Sequence, residues 1–233
     1  MAVNIDTVYQ RVLGILNKEQ RGYLTPQEFN LFANQVQLDI FEQYFYDINQ
    51  FGRISGNSTE YSDMLNILNE KIDGFSTTGN LTYASSYFAL PSDMYRLGTV
   101  IYTDASTNEY EVERINKNEF LYIKSSPIAK PKNDRPIYVS DKNGIKVYGN
   151  AELTSGVKCN YIKKPAKAIW AYQTVFGSAL YDATNSVNFE LHPSEETELV
   201  VKILALAGLL LNEDGIYQAA NAEDLKNIQQ EKA

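Results

Sequence analysis

Thr25-Pro26-Gln27-Glu28 is the local signal that most restricts how this chain can fold. An N-cap threonine, a first-turn proline and a capping-box glutamate three residues on precede Phe29, Phe32, Val36, Ile40, Tyr44 and Ile48, which recur at steps of three and four. That spacing predicts an amphipathic helix of about 25 residues. Phe41, Phe45, Tyr46 and Phe51 widen its apolar surface beyond the single stripe that one hairpin partner covers. Apolar patches of that width seldom stay bare on a monomer. The Thr25–Phe51 helix is therefore expected at a subunit interface, with Phe41, Tyr44, Phe45, Tyr46 and Phe51 in the contact and the two tyrosines as anchors.

The rest of the chain sorts by period. Ile5, Val8, Val12, Ile15 and Leu16 predict a first helix ending near Lys18–Gly22. Gly52 to Ser62 is polar and rich in Gly, Ser and Asn, hence a loop. Leu65, Ile67, Leu68 and Ile72 predict a short helix over Tyr61 to Ile72. After Gly74 the pattern becomes β-branched and aromatic in short runs: LTYASSYFALP, LGTVIYT, EYEVERI, RPIYVS, GIKVYG and GVKCNYIKKP. Asp141-Lys142-Asn143-Gly144 is expected as a hairpin loop of about four residues. Asn116 is expected to start a short helix running to Ile123, and SPIAKPKNDRP after it to be extended.

Trp170, Tyr172, Phe176 and Tyr181 stand among small polar residues and suggest an insertion or β-arm. His192-Pro193-Ser194-Glu195-Glu196 opens a further helix with Leu199, Ile203, Leu206 and Leu210 as its stripe and Gly208 allowing close approach. Asn212–Gly215 breaks it, and a polar final helix covers Ile216 to Gln230. The fold class expected is α+β. Residues 1–75 form an N-terminal helical segment, 76–165 a module of short antiparallel strands and 166–193 the irregular part. Residues 194–233 are C-terminal helices that complete the helical domain.

Composition removes most catalytic classes. The one cysteine, Cys159, cannot make an intramolecular disulfide, which suits assembly in a reducing cytoplasm. One histidine, His192, rules out a multi-His metal site, and its place before a proline at a helix start favours a structural role. Cys159 lies within a strand and has no evident base to activate it. Carboxylate pairs such as Glu195/Glu196 and Glu111/Glu113 are too common to mark acid–base chemistry. There is no phosphate loop, dinucleotide fingerprint, zinc-protease or calcium-loop spacing. No catalytic, cofactor or metal residue is expected. Val200 to Leu211, the most apolar stretch, is too short to cross a bilayer, so no membrane partner is expected.

The net charge of −8 is unevenly distributed: −5 over residues 1–75, +3 over 76–165 and −6 over 166–233. Such a chain lacks the basic footprint of a nucleic-acid binder and would guide DNA past it rather than grip it. The 17 tyrosines, against one tryptophan, suit protein interfaces, while stacking on sugars keeps a glycan-binding or glycan-cleaving accessory protein as the alternative.

Several features together resemble a known architecture: a helical N-terminus, Leu90-Pro91 followed by Asp93 and Tyr95, short hairpins, a strand ending in Tyr161-Ile162-Lys163-Lys164-Pro165, and C-terminal helices. In that order they resemble the head-to-tail adaptor and tail tubular, or gatekeeper, proteins of short-tailed phages. The segment NKEQRGYLTPQEFNLFANQVQLDIFEQYFYDINQF, Asn17 to Phe51, resembles ring proteins of crAss-like phage tails more specifically. The resemblance implies a virion protein of the tail, assembled in the host cytoplasm as a ring of about twelve copies under the portal. It implies contact with the portal and with other tail ring or nozzle proteins, passage of genomic DNA without specific binding, and neither catalysis nor cofactor. Such a ring subunit would be a monomer or weak oligomer until it docks on the portal.

Overall fold

A computed structural model describes residues 2–18, 24–51, 64–210, 218 and 220–226. The fold is α+β, and the chain divides into two compact units. One comprises Met1–Gly74 with Pro165–Ala233, the other Phe75–Lys164.

The first unit is helical. Asn4 caps α1 (Ile5–Lys18), its Oδ1 accepting from the amides of Asp6 at 2.8 Å and Thr7 at 3.2 Å. Ile5, Val8, Val12 and Leu16 are buried, whereas Ile15, expected in the same stripe, faces outward. The predicted capping box opens α2 (Pro26–Phe51): the Thr25 amide donates to Glu28 Oε2 at 2.9 Å, and the Glu28 amide to Thr25 Oγ1 at 3.3 Å. The shorter helix α3 (Met64–Asp73) packs on α2, and α5 (Glu196–Leu210) packs on both α1 and α2. Within α5 the buried face is Leu199, Val200, Ile203, Leu204 and Ala207; Leu206 is only half-buried. Residues 218 and 220–226 are helical, while the expected loop at 52–62 and helix break at 212–215 lie outside the described residues.

Extended chain also belongs to this unit. Val3 pairs with Phe189 and Ile169 with Val187, and 166–170 runs along α2. Asn30, Asn34 and Gln37 share one face of α2 by their i, i+4, i+7 spacing and hold that segment through its backbone. Asn34 Nδ2 donates to Ala168 O at 2.8 Å and Gln37 Nε2 to Ala166 O at 2.7 Å. The stretch expected as an irregular insertion or β-arm is an ordered strip, and a hairpin of β9 (Tyr172–Val175) and β10 (Ser178–Tyr181), the arm of that second alternative, rises from it.

The second unit is a small barrel. Its strands are β1 (Ser76–Asn80), β2 (Thr82–Ala84), β3 (Tyr87–Ala89), β4 (Met94–Thr103), β5 (Glu109–Ile115), β6 (Ile137–Asp141), β7 (Gly144–Tyr148) and β8 (Val157–Lys163). They are ordered β1-β8-β4-β5-β6-β7-β3-β2. The two outermost strands are halves of one stretch of chain that bends at Leu81, whose amide donates to Val157 O at 3.0 Å. The sheet therefore closes on itself through a covalent bend, as small barrels do to limit exposed edges. Leu81, Phe88, Val100, Val112, Tyr138, Ile145, Val147, Val157, Cys159 and Tyr161 fill its interior. Only β5 and β6 are parallel, and α4 (Lys117–Ser125) supplies the crossover that a parallel pair requires.

Three local expectations change. LTYASSYFALP is two strands around a turn at Ser85 and Ser86, both with positive φ, a conformation the serines do not advertise. The hairpin at 141–144 is tighter than four loop residues. Asp141 pairs with Gly144, leaving Lys142-Asn143 as the turn, and a Cβ on Gly144 would collide with the Phe88 carbonyl. SPIAKPKNDRP is not extended throughout, because Lys132 and Arg135 exchange backbone hydrogen bonds at 3.2 and 3.1 Å around a reverse turn. The strand β1 was not foreseen, since Ser-Thr-Thr-Gly-Asn has no apolar alternation.

Candidate functional site

The expected contact residues of α2 separate into buried and exposed groups. Phe41 and Tyr44 are buried within the helical unit. The correction has a physical cause: α2 is covered by α3 and α5 and not by a single hairpin partner, and the Lys71 ammonium of α3 lies 5.5 Å from the Tyr44 ring centre. Phe45 is half-buried and stands edge-on to Phe41 with ring centres 5.2 Å apart. Tyr46 is 65% exposed. Phe51 ends α2, and its side chain lies outside the described residues.

The polar residues weighed for chemistry occupy structural places. His192 caps the 3-10 turn Pro193–Glu195, its Nδ1 accepting from the Ser194 amide at 3.3 Å and lying 2.9 Å from Ser194 Oγ. Ser194 Oγ donates to Glu195 Oε1 at 2.9 Å, and the Lys71 ammonium meets the same oxygen at 2.7 Å. Beside it Lys202 bridges Glu198 at 2.7 Å and Gln43 Oε1 at 3.0 Å. Burial, together with the neighbouring Glu195 carboxylate, pushes Glu198 up to about 7 against the pull of Lys202. Glu196 pairs with Arg11 at 2.7 Å. Cys159 is fully buried in the barrel, where burial pushes its thiol up, the opposite of an activated nucleophile. Among the described residues no three His, Cys, Asp or Glu groups cluster as metal ligands, and no helix is long and apolar enough to cross a membrane.

Two surface features are left. A groove of about 520 Å³ opens on the barrel where the β4–β8 register skips Gly98 and Thr99. Gly98, Thr99, Glu111, Glu113, Arg114 and Arg135 line it, together with the edges of Val112 and Tyr138, whose side chains are otherwise buried in the barrel core. Arg135 and Glu113 approach to 3.8 Å, an exposed pair that leaves both charges accessible. Glu111 and Glu113 alternate with Val112 on β5, so both carboxylates point away from the barrel interior.

The second feature is the β9–β10 hairpin. Its base is fixed by Trp170, which stacks on Tyr172 and Tyr181 with ring centres 5.9 and 5.5 Å away and donates from Nε1 to Asp6 at 2.9 Å. Trp170 is buried, whereas Tyr172 and Tyr181 are half-buried. The tip carries a fully exposed Phe176 beside Val175 and Leu180. The sequence offers a β-arm with Phe176 in it but does not place its turn, because Phe-Gly lacks the Asn-Gly or Asp-Gly signature of a tight hairpin. No known protein family matches this chain, and no curated protein shows significant similarity to it.

Proposed function

We propose that this chain is a virion structural protein that forms an oligomeric ring in a phage head-to-tail connector or tail barrel. It links the portal to downstream tail proteins and lines the DNA channel. The observation that carries the reading is the charge of the two units. Phe75–Lys164 holds 12 Lys and Arg against 9 Asp and Glu, while the remainder holds 9 against 20. A subunit with two compact parts of opposite charge favours head-to-tail contacts, and such contacts close into rings when the rotation permits. The excess of carboxylates also suits a conduit that DNA must leave without being held.

The ring carries no catalysis and no cofactor, and closes only on the portal. Cryo-electron microscopy and mass spectrometry of purified particles test this. The expected result is this chain as a ring of about twelve copies at the neck or in the tail barrel. Absence from particles, or a place on peripheral fibres, would overturn it. Turnover of peptidoglycan or capsule glycans that one carboxylate substitution abolishes would instead establish the tail-accessory alternative.

A further inference from the structure

The tip of the β9–β10 hairpin is costly and gains nothing from its own chain. Val175 pairs with Ser178, which leaves Phe176-Gly177 as a two-residue turn with φ of 49° and 80°. Both signs match a type I′ turn, whose first central position favours Asn, Asp or Gly. Phenylalanine there is strained, and its ring is wholly in solvent. The surroundings are open, for even a Cβ built on Gly177 meets nothing within 4 Å.

The arm beneath the tip is nevertheless preorganised. Besides the Trp170 stack, Asp182 accepts from the Thr184 amide at 3.0 Å, Asn185 Nδ2 at 2.8 Å and Gln173 Nε2 at 3.1 Å. A strained apolar knob on a rigid support is the form a docking element takes, because the ordering cost is met before the partner arrives.

We propose that this hairpin is an assembly arm whose tip, Phe176 with Val175 and Leu180, docks in the barrel groove at Thr99, Val112 and Tyr138 of a second copy of this chain. Three observations favour that occupant. Residues 168–201 contain no Lys or Arg, so the arm has no attraction for the phosphates of DNA or a lipid surface. The groove offers Arg114 and Arg135 beside Glu111 and Glu113, while Asp6, Asp182 and Glu190 flank the arm's base and stem, so the arm's carboxylates can meet the arginines. An arm-to-groove contact joins the acidic unit of one copy to the basic unit of the next, whereas a contact of either unit with itself pairs like charges. This inference rests on the ring reading above and supplies its heterologous contact.

Disulfide trapping tests it. A chain carrying both Phe176→Cys and Thr99→Cys, oxidised at high protein concentration, is expected to give a ladder of reducible dimers and larger oligomers. Neither single variant should do so. Phe176→Asn, the residue type the turn prefers, is expected to keep or raise Tm while weakening concentration-dependent association in sedimentation velocity at least tenfold. An absent ladder, dimers from Phe176→Cys alone, or wild-type association in Phe176→Asn would overturn the arm. Particles that carry the chain as a ring yet incorporate Phe176→Asn normally would sink the arm and leave the ring reading standing. A ladder from a protein absent from particles does the reverse.

Discussion

The side chain of Asn30 grips the backbone of Trp170 in both directions. Its Oδ1 accepts from the Trp170 amide at 2.8 Å and its Nδ2 donates to the Trp170 carbonyl at 3.1 Å. A helix side chain here takes the place of a neighbouring strand for a residue 140 positions away. Asn30→Ala leaves both backbone groups without that partner and is expected to cost about 1–3 kcal/mol, and Asn30→Asp, which keeps only the acceptor, less. Urea unfolding followed by the fluorescence of Trp170, the single tryptophan, measures both.

Lys71, half-buried, and Glu195, buried, form a second long-range tie between α3 and the turn that begins α5. Lys71→Met strands a buried carboxylate and is expected to cost about 3 kcal/mol or more, whereas Lys71→Met with Glu195→Gln recovers much of the loss. A double-mutant cycle in urea decides this, and strictly additive losses would contradict the pairing.

Glu198 gives stability a definite pH dependence. Its folded value of about 7 exceeds the ordinary 4.5, so between them the folded chain keeps a proton that the unfolded chain has released. That contribution is complete below 4.5 and is lost as pH rises through about 7. Glu195 acts oppositely. Burial opposes its ionisation, but hydrogen bonds from Lys71, Glu198 and Ser194 hold it below 4.5, and its share is lost only in acid beneath that value. Lys71, Lys202, Asp39 and Glu42 are further ionisable groups in this electrostatic network. Wild-type Tm is expected to fall from about pH 5 to about pH 7 and to level off above, and Glu198→Gln, which stays neutral, to flatten that slope.

Cys159 reports on the barrel alone, as Trp170 does on the helical unit. Its thiol is expected to resist an aromatic disulfide reagent in native buffer and to become reactive only when the barrel opens. Following labelling rate and tryptophan fluorescence along one urea titration shows whether the two units unfold together. Fast native labelling would contradict the burial of Cys159.

The aromatic residues of α2 should behave as two classes. Phe41→Ala removes a buried ring and is expected to cost about 3–5 kcal/mol. Tyr46→Ala, at an exposed site, should stay within about 0.5 kcal/mol of wild type by thermal melting and act, if at all, on assembly. Phe45→Ser is expected to fall between them, since its ring leans on Phe41.

Local chemistry made much of this fold legible in the sequence. The capping box at Thr25 and Glu28 is decided within four residues, so α2 could be placed from its own sequence. The change of period after Gly74 marks where helix gives way to strand because apolar spacing follows the geometry of each element. What sequence spacing could not supply is which distant partner covers a face. Phe41 looks like surplus apolar surface and Tyr44 like an interface anchor, yet α3 and α5, brought in by chain folding, bury both. Asn30, Asn34 and Gln37 carry no signal in the spacing of α2, and only the tertiary structure makes them the clasp for 166–170. Phe176 is the reverse, a large apolar residue that the fold leaves in water on a strained turn. Periodicity is a property of neighbours along the chain; burial depends on partners from other elements, near and far in sequence, and only the folded chain brings those together.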